Sequence, residues 1–153
     1  MTDILVGSKI QPEDFPAAVQ SFNNTTLNPV SNTSYAAGSP VVAVTFVAPT
    51  SGRVLVTVGL GARSTDGGNR VHISPEVYLG TSSSGSLVLS ADVTTRGAGT
   101  PAETKDYMYL SRTTLLSGLT PGSTYYARTV HKVSGGGATN YIVARSIVVE
   151  PTS

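Results

Sequence analysis

An all-β fold, a jelly-roll-like antiparallel β-sandwich over residues 39–153 preceded by an N-terminal anchoring arm over 1–38, is what this 153-residue sequence predicts. Three observations point to it. From about residue 40 onward the chain is built of β-branched segments with period-2 alternation, as in 53–60 and 141–149. Clusters of Gly, Pro and Ser punctuate those segments at intervals of roughly 8–14 residues, the spacing of short strands joined by turns. No stretch shows a sustained amphipathic helical period.

Along the arm, Pro12 and Pro16 bracket Glu13, Asp14 and Phe15; Pro12 can open a single helical turn, acids favour its start, and Pro16 stops it. Residues 21–38 are rich in Asn, Ser and Thr, the composition of an extended linker or an edge strand. Ile4, Leu5, Val6, Ile10 and Phe15 are too apolar for a pure spacer and are expected to anchor the arm on a partner. A strand over 41–47 closes in the turn cluster 48–52, and the next, over 53–63, sets Val54, Val56, Val58 and Leu60 on one face. Residues 65–69 read as a hairpin loop, and Pro75 demotes the strand over 70–79 to an edge or bulged position. A strand over 86–93 and a loop over 94–105 follow. The segment 107–116 is expected to pair with 124–133 across the turn 117–122, and the last strand covers 140–149.

The chain contains no cysteine, which removes disulfides and thiol chemistry, and its net charge is +1 with only 12% charged residues against about 25% in an ordinary domain. Ten Lys and Arg dispersed among nine acids make no basic patch, so nucleic acid is not an expected partner. So little charge suggests a surface covered by copies of the same chain or by a larger assembly. Apolar runs fall well short of a membrane span, and the first residues lack the basic and apolar regions of a signal peptide; synthesis in a cytoplasm is expected.

Candidate catalytic and metal sites fail one by one. His72 and His131 have no ligand partners at metal-binding spacing. Asp66 and Asn69 offer two oxygens on a short loop, far fewer than a calcium loop requires. Glu103 and Asp106 are merely neighbours, and Gly135–Gly137 has no helix behind it to cradle a phosphate. No cofactor and no catalytic residue is therefore expected. Tyrosine and arginine remain: Tyr107, Tyr109, Tyr126, Arg112 and Arg128 lie in or at the ends of strands and combine area with a polar handle. They are expected to decorate the sheets or, more sharply, to meet a sister subunit or a host-surface glycan.

Two stretches carry family resemblances. Leu119-Thr120-Pro121-Gly122-Ser123-Thr124-Tyr125 resembles the fibronectin type III turn whose tyrosine forms a corner closing the sandwich, although this chain has no tryptophan. More broadly, the opening Gly7-Ser8-Lys9-Ile10-Gln11-Pro12-Glu13-Asp14-Phe15 and the segment Phe46-Val47-Ala48-Pro49-Thr50-Ser51-Gly52-Arg53-Val54 resemble small virion proteins of actinobacterial phages and prophages, with a trimeric jelly-roll head. That resemblance implies a homotrimeric, non-enzymatic structural protein located on the virion. Its arm docks on capsid or tail proteins and its head is exposed, as a capsid decoration or as a tail or fibre head touching the host surface. A free carbohydrate-binding or adhesion module is the alternative; a hydrolase on the same scaffold lacks the clustered acids or histidines it needs.

Overall fold

In the computed structural model, the described residues are 16–65, 69–102, 105–135 and 139–153. The anchoring candidates Ile4, Leu5, Val6, Ile10 and Phe15 lie outside them, as do Asp66 and Glu103. Nine strands appear in chain order among the described residues: β1 Val19–Asn23, β2 Ala43–Val47, β3 Val54–Ser64, β4 Val71–Leu79, β5 Leu87–Leu89, β6 Ala98–Gly99, β7 Met108–Leu116, β8 Thr124–Val133 and β9 Asn140–Pro151. They form two antiparallel sheets. Sheet A has the order β1-β9-β3-β7; sheet B has the order β2-β8-β4-β5, with the two-residue β6 also on β4.

Setting β6 aside, first pairs with last (β1 with β9), second with second-to-last (β2 with β8), and so inward through β3 with β7 to β4 with β5. This nesting, one long hairpin of strands rolled so that alternate pairs fall in opposite sheets, is the jelly-roll arrangement. The fold is thus all-β, a jelly-roll-like sandwich.

Alternation places the core. On β3, Val54, Val56, Val58, Leu60 and Ala62 point inward, and Val44, Phe46, Ile73, Val77, Ala127, Ile142 and Ile147 meet them from the other strands. β-Branched residues dominate because a pleated, half-buried surface accommodates their stiff side chains. Between Gly61 and Ala62 the pairing of β3 with β9 shifts by one residue, so Val143 and Ala144 are both half-buried before Arg145 turns inward.

Three expectations need correction. Residues 19–38 are part of the sandwich: β1 zips along β9, Leu27 bridges Ile142, Val30 N–H bonds the Asn140 carbonyl, and after the crossing Ala36 bridges His131 on β8. The polar composition that suggested a linker instead stitches a seam, with Asn32 Nδ2 donating to the His131 carbonyl at 2.8 Å and Asn140 Nδ2 to the Val30 carbonyl at 3.0 Å. Second, β7 and β8 are no hairpin. β7 joins β3 in sheet A and β8 joins sheet B; β3 and β4, consecutive in the chain, are divided between the two sheets in the same way. Turn chemistry marks where the chain reverses but not which layer receives it. Third, β4 shifts register against β5 between Val77 and Tyr78, as the bulged alternative has it, but it is interior to sheet B and not an edge. Pro75 faces Thr129 on one side, and on the other it falls between the stretches that pair with β6 and β5. A missing N–H costs no ladder bond there.

The turn before β8 keeps its expected corner. Tyr125 is buried, stacks on Phe46 with ring centroids 5.6 Å apart, and its hydroxyl accepts a bond from the Thr120 N–H at 2.9 Å.

Candidate functional site: two outer faces

The five partner-contact candidates do not form one surface. Tyr107 and Tyr109 stand on the outer face of sheet A, whereas Tyr126 and Arg128 stand on the outer face of sheet B. Arg112 shares the inward parity of Val58, opposite which it lies; its Nη1 reaches the carbonyls of Thr94 and Gly97 at 3.0 and 3.2 Å. It fastens the loop before β6 to the edge of sheet A.

On sheet B the polar side chains satisfy one another. Glu76 Oε2 accepts from Arg128 Nε at 2.9 Å, Arg128 Nη2 at 2.8 Å and the Tyr78 hydroxyl at 2.7 Å, and the Arg128 guanidinium lies over the Tyr78 ring. Burial, and then the bond to the Glu76 carboxylate, raise the Tyr78 pKa. Tyr126 is half-buried between Thr45 and Tyr78 in the register. Ser74 is pinned by its hydroxyl to both the N–H and the carbonyl of Asp92, so part of this face is roofed by the loop that follows β5. At the β4–β5 edge of the sheet Leu79, Leu87 and Val88 are between 41% and 53% exposed; Val47, 41% exposed, lies on β2 at the opposite edge.

Sheet A presents the opposite character. The register aligns Phe22, Ser146, Gly59 and Ser111 in one row across β1, β9, β3 and β7, with Ala144, Gly61 and Tyr109 in the next. Phe22 is 65% exposed and Tyr109 70%. Between them lies an open cleft of about 490 Å³ with the two glycines in its floor. A Cβ on Gly59 would collide with the Ser146 hydroxyl, and one on Gly61 would stand 2.6 Å from the Tyr109 ring. The absence of side chains therefore shapes the cleft. One row further on, the Arg63 guanidinium is held between the rings of Tyr107 and Tyr141 at 4.7 and 4.6 Å. Sequence reasoning missed Phe22, Gly59 and Gly61; the available signal was a pair of glycines interrupting a β-branched run, which marks close approach.

Inside the seam between the sheets sit two buried basic side chains. Arg145 is 1% exposed, with Nη2 3.3 Å from Asn23 Oδ1 and the Gly38 backbone against its guanidinium. Its Nε and Nη1 have no hydrogen-bond partner among the described residues. Burial lowers its pKa. His131 is 5% exposed, and burial, then the charge of Arg145, push its pKa down to about 4. It is neutral at pH 7. Among the described residues no group of three or more His, Asp or Glu side chains could hold a metal ion, and no helix is long and apolar enough to cross a membrane.

No protein-family model and no curated protein matches the chain. Distant likenesses to solved structures exist. That of infectious bursal disease virus Gt strain is 15% identical, covers 90% of this chain and 32% of its own, and has a TM-score of 0.47. That of the T13 IBDV viral particle is 16% identical over 90% of this chain and 31% of its own, with a TM-score of 0.48. Eiger TNF from S. frugiperda is 8% identical over 89% of this chain and 93% of its own, at a TM-score of 0.43. The chain spans about a third of the length of the viral chains it is similar to. Likenesses this distant decide nothing about what the chain does.

Proposed function

We propose that the chain is a non-enzymatic structural protein of a bacteriophage virion, a homotrimer whose jelly-roll head is exposed and whose first residues attach it to capsid or tail proteins. The observation that carries the reading is the β4–β5 edge of sheet B, where the apolar Leu79, Leu87 and Val88 are each between 41% and 53% exposed. In a chain with only 12% charged residues, apolar side chains exposed along a sheet edge favour a contact surface over a solvated one. Copies of the same chain are its occupant in this reading, since covering it would also relieve the exposure of the short edge strand β5.

The test is solution mass by light scattering. The expected result is three times the 15.7 kDa of the chain, falling to one chain mass in Leu79→Glu combined with Leu87→Glu. A monomer for the unaltered protein, at concentrations where a stable interface would be full, overturns the trimer. Attachment through Ile4, Leu5, Val6, Ile10 and Phe15 is tested separately. A chain shortened by residues 1–15 keeps every described strand and is expected to trimerise but to be lost from purified particles.

A further inference from the structure

The cleft on sheet A is left over by the assembly reading, which uses the other sheet. We infer that it is a binding site for a neutral glycan, one pyranose ring lying on the glycine floor between Phe22 and Tyr109. Four features of the cleft favour that chemistry. Its walls are two largely exposed aromatic rings on β1 and β7, separated by the two strands β9 and β3. At ordinary strand spacing their backbones stand about 14 Å apart, room for a sugar ring flanked by aromatic carbon. A sugar ring offers C–H faces to such walls and hydroxyls to whatever lies between.

The floor supplies the second feature. Gly59 lies half-buried at its base, Gly61 is buried beside it with the Tyr109 ring close against it, and Ser111, Ser146 and Asn24 line it. No hydrogen bond of the Ser111 or Ser146 side chain occurs among the described residues, so both hydroxyls are available to a ligand. Third, the outward positions from the Gln20–Val148–Thr57–Thr113 row to the Ala144–Gly61–Tyr109 row carry no charged side chain. Arg145 is among the lining residues, but its side chain turns inward and is 1% exposed. Arg63, one row further on, is held between two tyrosine rings, so the outward floor favours a neutral sugar over an anionic one. Fourth, about 490 Å³ lies within the range of small-ligand sites, and an open cleft suits a chain passing through. A large protein partner would want a broad apolar surface; here the floor is small and mixes the apolar Val143 and Ala144 with two serine hydroxyls.

The experiment follows backbone amides by NMR in the full chain during titration with three neutral probes: maltotriose, cellotriose and tri-N-acetylchitotriose. At least one is expected to shift the amides of Gly59, Gly61, Ser111 and Ser146. Phe22→Ala or Tyr109→Ala should then weaken binding by about tenfold or more, the loss typical of a central aromatic contact. Tyr126→Ala, on the opposite sheet, should leave it unchanged. The inference is overturned if none of the three probes moves those amides at saturating concentration, or if the shifts map to sheet B. It is also overturned if Tyr109→Ala lowers the solution mass, because the face would then be a subunit contact. A failed titration leaves the mass of the unaltered protein untouched, so the loss of the glycan site and the loss of the trimer are read separately.

Discussion

The outer faces of the two sheets are built from the same period-2 strands yet hold their polar groups in opposite ways. On sheet B the groups close on each other: Glu76 serves Arg128 and Tyr78 together, and Ser74 is bonded to the backbone of Asp92. On sheet A the Thr57 and Thr113 hydroxyls bond each other at 2.7 Å and Arg63 is held by two tyrosines. Between those rows, however, the groups are left open, with serine hydroxyls and two unroofed rings around a cleft. A closed network stabilises the fold and offers little to a partner. An open face contributes little to stability and keeps its groups for something else. Exposure therefore separates the two faces less well than satisfaction does, and the arginines show it: Arg128 and Arg112 are both spoken for by neighbours of the same chain.

Substitutions can sharpen or break that contrast. The largest effect belongs to the core both faces share: Ile147→Ala, at a fully buried site on β9, should cost about 2–5 kcal/mol in urea unfolding, since the cavity cannot collapse within a paired strand. Acid comes next, through the seam. The folded state holds His131 at a pKa of about 4, below the ordinary 6.5, so the unfolded chain binds the proton more readily. Its contribution is complete above about pH 6.5 and is lost as pH falls from there toward 4. About 3 kcal/mol of stability should disappear across that window, and His131→Gln should flatten that part of the profile. Glu76→Ala on sheet B ranks third, at about 2 kcal/mol, because Arg128 and Tyr78 lose their shared acceptor. Smallest are Phe22→Ala and Tyr109→Ala on sheet A, within about 0.5 kcal/mol of the parent. If these two destabilised as much as Glu76→Ala, the open face would be structural after all and the contrast would fail.

Much of the strand inventory was legible. The segment expected over 53–63 is β3 at Val54–Ser64, that over 124–133 is β8 at Thr124–Val133, and the buried parity of Val54, Val56, Val58 and Leu60 follows from alternation alone. The tyrosine corner was legible too, because a Pro-Gly turn and a tyrosine at that offset make a bond only a few residues long in sequence. β1 was not. Its Asn, Ser and Thr neighbours look like linker because their partners, His131, Asn140, Ile142 and Arg145, lie a hundred residues away. The cleft was equally hidden, since Phe22, Gly59, Ser111 and Ser146 meet only through the register of four strands.

By itself, then, the sequence determined what depends on neighbours along the chain: strand positions, the face each side chain takes, the turns, and the want of charge that suggests a covered surface. Only the tertiary structure decided which strand pairs with which, that residues 19–38 close the sandwich, that Arg145 is buried and Arg112 tied down, and that two glycines and two rings enclose one cleft. The physical reason is that period and turn chemistry are local. Sheet membership is settled by competition among distant edges for the same hydrogen bonds, and a β-strand carries no local mark of the partner that wins.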